Sequence, residues 1–178
     1  MLTDIGSEPD DQMSLVRLML YSNEIEIEGL AAVTSTWLRK TANRRTIREI
    51  VDAYGEVRPN LLQHAHGWPE AAALRDGVSA EPQGYGMATV RPDQPSAAAQ
   101  ALIRAVDRSD SRPLWISIWG GANTLAEALQ VVRKARSAEQ VDAFLGLRGL
   151  GWSCFSSERA IEVVLAFSRK PHVHEGHN

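Results

Sequence analysis

The chain contains one cysteine, Cys154, so no disulfide can form within it and cysteine usage does not reveal its redox compartment. It has no excess of basic charge. Nineteen Lys and Arg against 22 Asp and Glu leave a net charge of −3, which removes the electrostatic reason to expect nucleic acid or an anionic membrane as partner. No apolar run approaches the roughly 18 residues of a membrane-spanning helix. The glycines of "WGGANT" lack the G-x-G-x-x-G spacing, which sets a dinucleotide cofactor aside. There is no Cys/His cluster to suggest zinc. Acidic residues begin at Asp4 with no basic segment before them, so with Met1 as the start no signal peptide is expected and the chain reads as cytoplasmic. A missing upstream segment would reopen a secreted or periplasmic location.

The 178 residues, 44% of them hydrophobic and 23% charged, suit one globular domain with a real core. Helical and extended patterns alternate along it. "DDQMSLVRLMLYSN" places Leu15, Leu18 and Met19 on one helical face, which Val16 and Leu20 would widen. "IEIEGLAAVTS" reads as a strand entering a buried sheet. "ANRRTIREIVDAYG" reads as a helix along Ile47, Ile50, Val51 and Tyr54 that stops at Gly55, followed by a short extended "PNLLQH". From Ala65 to Pro95, Gly, Pro and Gln predict a long loop. "SAAAQALIRAVDRS" predicts a helix capped by Ser96, and "PLWISIWGGANTLAEALQVVRKAR" a strand, a glycine turn and a helix.

This alternation predicts an α/β fold, a mostly parallel sheet flanked by helices, which binds ligands at the carboxyl edge of its strands. Three turns fall on that edge: "DIGSEPDD", "VTSTW" and "WGGANT". After Phe144 the pattern degrades, with one modest helix in "SERAIEVVLAFSRK". Residues 1–144 are therefore expected to form the domain, and 145–178 a tail that does not match it.

The turn after the first strand crowds Asp4, Glu8, Asp10 and Asp11 into eight residues. Capping of the following helix accounts for Asp10 and Asp11. It does not account for Asp4, because an unpaired carboxylate at the end of a buried strand is expensive. Three carboxylates facing one another across a glycine turn fit a hard divalent cation, Ca²⁺ before Mg²⁺, with Glu8 left to solvent.

These residues carry a resemblance. "TDIGSEPDD" resembles the aspartate signature of the nucleoside hydrolases, D-x-D-x-G-x-D-D, with two extra loop residues. "WGGANTLAEAL" resembles their G-P-L-T-N-L-A turn, and "GLAAVTSTW" the end of their second strand. A fuller resemblance, from Leu2 to Phe144, is to the nucleoside-hydrolase-like domain of bacterial proteins described as cellulose-binding. It implies a Rossmann-like fold, incomplete here at the C-terminus, and a Ca²⁺ site formed by Asp4, Asp10, Asp11 and the main-chain carbonyl at Asn123. It also implies hydrolysis of an N- or O-glycosidic bond, in which the metal holds a water and sugar hydroxyls and Asp4 takes the water's proton. Its expected partner is a small glycoside or carbohydrate; self-association into a homo-oligomer stays open.

The chain departs from the nucleoside hydrolases at Thr36, where they place a sugar-binding asparagine, so another glycosidic or polyol ligand stays open. Nothing after Phe144 resembles the half that supplies their last metal-binding aspartate. Thr36, Trp37, Tyr85 of the glycine-rich "QGYGM" flap, and Asn123 are the expected substrate contacts. Trp68, His64 and His66 are further candidates, against surface or turn positions as the plainer reading. Trp115 and Trp119 share a strand face and read first as core aromatics, with sugar stacking as the alternative. His172, His174 and His177 read as a polar tail, and Cys154 as inert. Two other readings of the whole remain: a non-catalytic carbohydrate-binding module in which calcium orders the loop, and an inactive truncated piece of a longer parent.

Overall fold

The computed structural model describes residues 1–146 and, for its backbone alone, the strand 151–154. Five strands form one wholly parallel sheet: β1 (Leu2–Thr3), β2 (Leu30–Ala32), β3 (Val78–Ala80), β4 (Trp115–Ile118) and β5 (Gly151–Cys154). Their order is β3-β2-β1-β4-β5. Parallel neighbours need crossovers, and helices supply them: α1 (Pro9–Leu20), α2 (Arg44–Leu61), α3 (Ala71–Asp76), α4 (Ala97–Asp107), α5 (Asn123–Ala135) and α6 (Ala138–Gly146).

Alternation along β2 shows how the sheet divides the core. Leu30 and Ala32 pack with Leu15, Met19, Ile47, Val51 and Leu74 from α1, α2 and α3. Ala31 and Val33 point the other way, to Ala98, Val106, Leu125, Leu129 and Phe144 from α4, α5 and α6. A strand covered on both faces reads as the continuous apolar run seen in its sequence. It is shorter than expected, because the segment from Ile25 to Gly29 lies outside the ladder.

Other differences from the sequence pattern have identifiable causes. Helix α2 does not stop at Gly55 but runs on to Leu61, through "PNL" and with Pro59 inside it. Gly55 serves packing here: a Cβ on it would come within 2.9 Å of the Ala71 Cβ on α3. Pro59 removes only a bond near the helix end, where its effect is small. The expected loop from 65 to 95 contains α3, β3 and a 3-10 turn at Met87–Thr89. β3 is too short to show an alternation, yet it pairs with β2 at Leu30↔Val78, Ala31↔Ser79 and Ala32↔Ala80. β5 lies where the pattern degrades, paired with β4 from Trp115↔Gly151 to Ile118↔Cys154. On α1 only Leu15 and Met19 are buried, while Val16 and Leu20 face solvent.

Helix α4 begins as expected, with the Ser96 hydroxyl accepting from the Ala99 N–H at 3.1 Å. Trp68 is core, packed with α2, whereas Trp115 is 69% exposed and is not the core aromatic expected. The helix expected over "SERAIEVVLAFSRK" and the three C-terminal histidines lie outside the described residues. Among the described residues no helix is long and apolar enough to cross a membrane.

Candidate functional site

Strand order reverses between β1 and β4. From β1 the chain winds to β2 and β3 on one side, and from β4 to β5 on the other. The helices that follow β1 and β4 pack on opposite faces of the sheet, which is the place where a doubly wound sheet forms its ligand-binding crevice, at the carboxyl ends of the strands. Both signature turns of the sequence lie there.

The first turn follows β1. Asp4 is buried at the strand end, and its carbonyl accepts from the Ser7 N–H at 3.0 Å. Thr3, fully buried, donates its hydroxyl to the carboxylate of Asp11, reaching from strand to helix. Asp11 therefore turns inward to the sheet, which its capping role alone would not require. Its carboxyl is pushed up to about 6. Burial is the main cause, opposed by the Thr3 hydrogen bond and reinforced by the charge of Asp4, a side-chain hydrogen bond with Asp4 and the charge of Asp10. Asp4 and Asp11 are thus brought together. Asp10 is exposed and joins them only through its charge, and Glu8 is exposed as expected.

The second turn follows β4 and crosses the end of β1. The Gly121 N–H donates to the Thr34 carbonyl at the end of β2, at 2.8 Å. Gly120 passes so close to the acidic turn that a Cβ there would sit 2.8 Å from the Asp4 Cβ, the Asp4 nitrogen and Val33 Cγ2. Only glycine permits that approach. Asn123 opens α5, and its side chain braces the flap. Its Nδ2 donates to the Gly84 carbonyl and to the Thr89 hydroxyl, each at 3.2 Å, and its Oδ1 accepts from the Gly86 N–H at 3.3 Å.

The flap also reaches the end of β2. The Thr36 hydroxyl donates to the Tyr85 hydroxyl at 3.0 Å, and the Arg39 guanidinium stands over the Tyr85 ring, 5.8 Å from its centre. Trp37 beside them is 80% exposed. The flap therefore links Thr36, Tyr85 and Asn123, with Trp37 next to Thr36 in the chain, whereas Trp68 is remote in the core, and His64 and His66 are exposed in the segment after α2.

Two buried acids in the same region are absent from the sequence-based expectations. Glu81 follows β3. Its Oε1 accepts from the Thr34 N–H and hydroxyl, each at 2.5 Å, and its Oε2 accepts from the Thr124 hydroxyl at 2.9 Å. Burial raises its carboxyl above the usual range against these hydrogen bonds, and the charge of Glu127 adds to the rise. Glu127, 2% exposed on α5, accepts from the Arg91 N–H at 3.2 Å and from the Ser96 N–H at 3.1 Å. The one available signal was Glu127 itself, an acid set among Leu125, Ala126, Ala128 and Leu129 on a core-facing helix.

As a cation site the turn offers hard oxygen donors. Among the described residues none of Asp4, Asp10 and Asp11 is paired with a cationic side chain. The same residues include no group of three or more His, Cys, Asp or Glu side chains arranged to hold a metal ion. Two inward carboxylates suit a divalent ion in donor chemistry, and a fuller shell would need main-chain oxygens, water or further residues.

Comparison with known proteins agrees with this architecture. Residues 1–147 match the family described as "Cellulose-binding Sde182, nucleoside hydrolase-like domain", and the chain belongs to that family. Its fold is similar to the solved structure of a nucleoside hydrolase-related protein from Saccharophagus degradans that is associated with carbohydrate metabolism, with a TM-score of 0.81 and 39% sequence identity. That similarity covers 86% of this chain and 37% of the relative, so the chain spans well under half of the relative's length. No curated protein matches the chain.

Proposed function

We propose that this domain binds a carbohydrate in the crevice between β1 and β4 and hydrolyses an N- or O-glycosidic bond there. In this reading Asp4, Asp10, Asp11 and the Asn123 carbonyl hold Ca²⁺, which when bound supplies a Lewis acid for water and an anchor for vicinal hydroxyls. Asp4 accepts the proton of the attacking water. Thr36, Trp37, Tyr85 and Asn123 line the sugar's side of the crevice.

The observation that carries the reading is the Asp4–Asp11 pair, two inward carboxylates at the point where strand order reverses. Burial first, and the charge of Asp4 after it, raise Asp11, so the pair is costly to hold in this place. Membership of a nucleoside hydrolase-like family and the carbohydrate association of the Saccharophagus relative support the substrate class.

Turnover of p-nitrophenyl riboside and of p-nitrophenyl glucoside in calcium tests it. Release of nitrophenol that falls by about 100-fold or more in Asp4→Asn is the expected result. A second reading is a carbohydrate-binding module without catalysis, in which calcium orders the acidic turn. Calcium-dependent sugar binding with no turnover would establish it in place of the first.

A further inference from the structure

Arg39 has no part in the acidic turn, yet it stands beside Thr36 and Tyr85 and contacts both. Its Nε donates to the Thr36 carbonyl at 3.0 Å, and its guanidinium lies over the ring of Tyr85. That ring is itself pinned: its hydroxyl accepts from Thr36, and its edge lies against Gly121. The cation–π contact and the Nε bond together hold the planar group without occupying its outer nitrogens. Among the described residues neither terminal nitrogen of Arg39 has a partner. Arg45, paired with Glu49, and Arg112, paired with Asp110 and Glu26, are exposed arginines spent on acids of their own.

A guanidinium held by one edge, with its fork free, is prepared for a planar or tetrahedral oxyanion, which it can bind through two parallel hydrogen bonds. Neighbouring Trp37, at 80% exposure, offers an apolar face for the ring that carries such a group. We infer that Arg39 selects sugars bearing an oxyanion, a carboxylate or a phosphate, over neutral ones. The inference rests on the proposed carbohydrate site and assigns its specificity. Asp4 packs against Gly120 and Tyr85 against the next residue, Gly121, so the oxyanion belongs on the Tyr85 side and the neutral part of the sugar on the acidic side.

The test is a titration of the whole chain in calcium, followed by tryptophan emission, with cellobiose, cellobiose 6-phosphate and a glucuronate-terminated disaccharide. One or both anionic sugars should bind about tenfold more tightly than cellobiose, since a charge-assisted bidentate contact is of that order. Arg39→Ala should erase the preference by bringing the affinity for the anionic sugars down to that for cellobiose, and Arg39→Lys should restore only part of it. Because Arg39 is exposed, both variants should melt with the wild type. Whichever anionic sugar is preferred identifies the source of the oxyanion. Equal binding of all three sugars would overturn the assignment of Arg39 and leave carbohydrate binding standing. Binding of none would overturn both. A preference that survives in Arg39→Ala would overturn the role of this residue alone.

Discussion

Both the backbone N–H and the hydroxyl of Thr34 lie 2.5 Å from the same carboxylate oxygen, Oε1 of Glu81. The other oxygen of Glu81 takes the Thr124 hydroxyl, so one side chain joins the ends of β2 and β3 to the first turn of α5. Thr34 and Thr124 are fully buried.

Glu81→Ala should therefore destabilise the fold by about 3 kcal/mol, because it leaves buried donors unsatisfied. Glu81→Gln keeps an acceptor for Thr34 and should lose only about 1 kcal/mol. Urea denaturation of the three proteins measures the difference. Equal stability of wild type and Glu81→Ala would mean that Glu81 does not tie these elements together.

Asp11 makes stability depend on pH in an unusual direction. Its carboxyl is raised from 3.8 to about 6, so the folded chain holds this proton more tightly than the unfolded one. Between those values the folded state binds more protons, and stability falls as pH rises. Asp11 is partly exposed, so screening should reduce the effect to about 1 kcal/mol. Asp11→Asn should remove this slope and stabilise the protein at pH 7 in the absence of calcium. Denaturation midpoints at pH 4, 5, 6 and 7 for both proteins check it, and identical slopes would refute the Asp11 assignment.

Calcium should raise the thermal midpoint, since a ligand that binds only the folded state stabilises it by about 2.7 kcal/mol at 100 times its Kd. The rise should vanish with a chelator and in Asp4→Asn, whose side chain is buried at the strand end. Asp10→Asn should weaken it less, because Asp10 is exposed. A midpoint indifferent to calcium in the wild type would remove the metal from the proposed function.

Much of the architecture was legible in the residues. The periodicity of α1, the Ser96 cap and the glycine turn between β4 and α5 are local signals, and local signals survive translation into structure. Gly55 and Pro59 misled because each is read as a break in isolation, while a helix 18 residues long and buried along Ile47, Val51 and Tyr54 overrides both. β3 and β5 escaped notice because three or four residues are too few to show a period. Their existence depends on the neighbouring strand that completes their hydrogen bonds.

The candidate site divides in the same way. By itself the sequence determined that acids crowd one turn, that a glycine turn follows a buried strand, and that the two belong to one family pattern. Tertiary structure alone decided which acids meet. It turned Asp11 inward onto Thr3 and Asp4, left Asp10 in solvent, and brought Glu81 to Thr34 across 47 residues of chain. It also placed Arg39 over Tyr85. The physical reason is that a charge pattern fixes only which groups lie close along the chain. Their burial, and the energy it adds to each contact, is set by the parallel sheet that gathers distant strand ends to one edge.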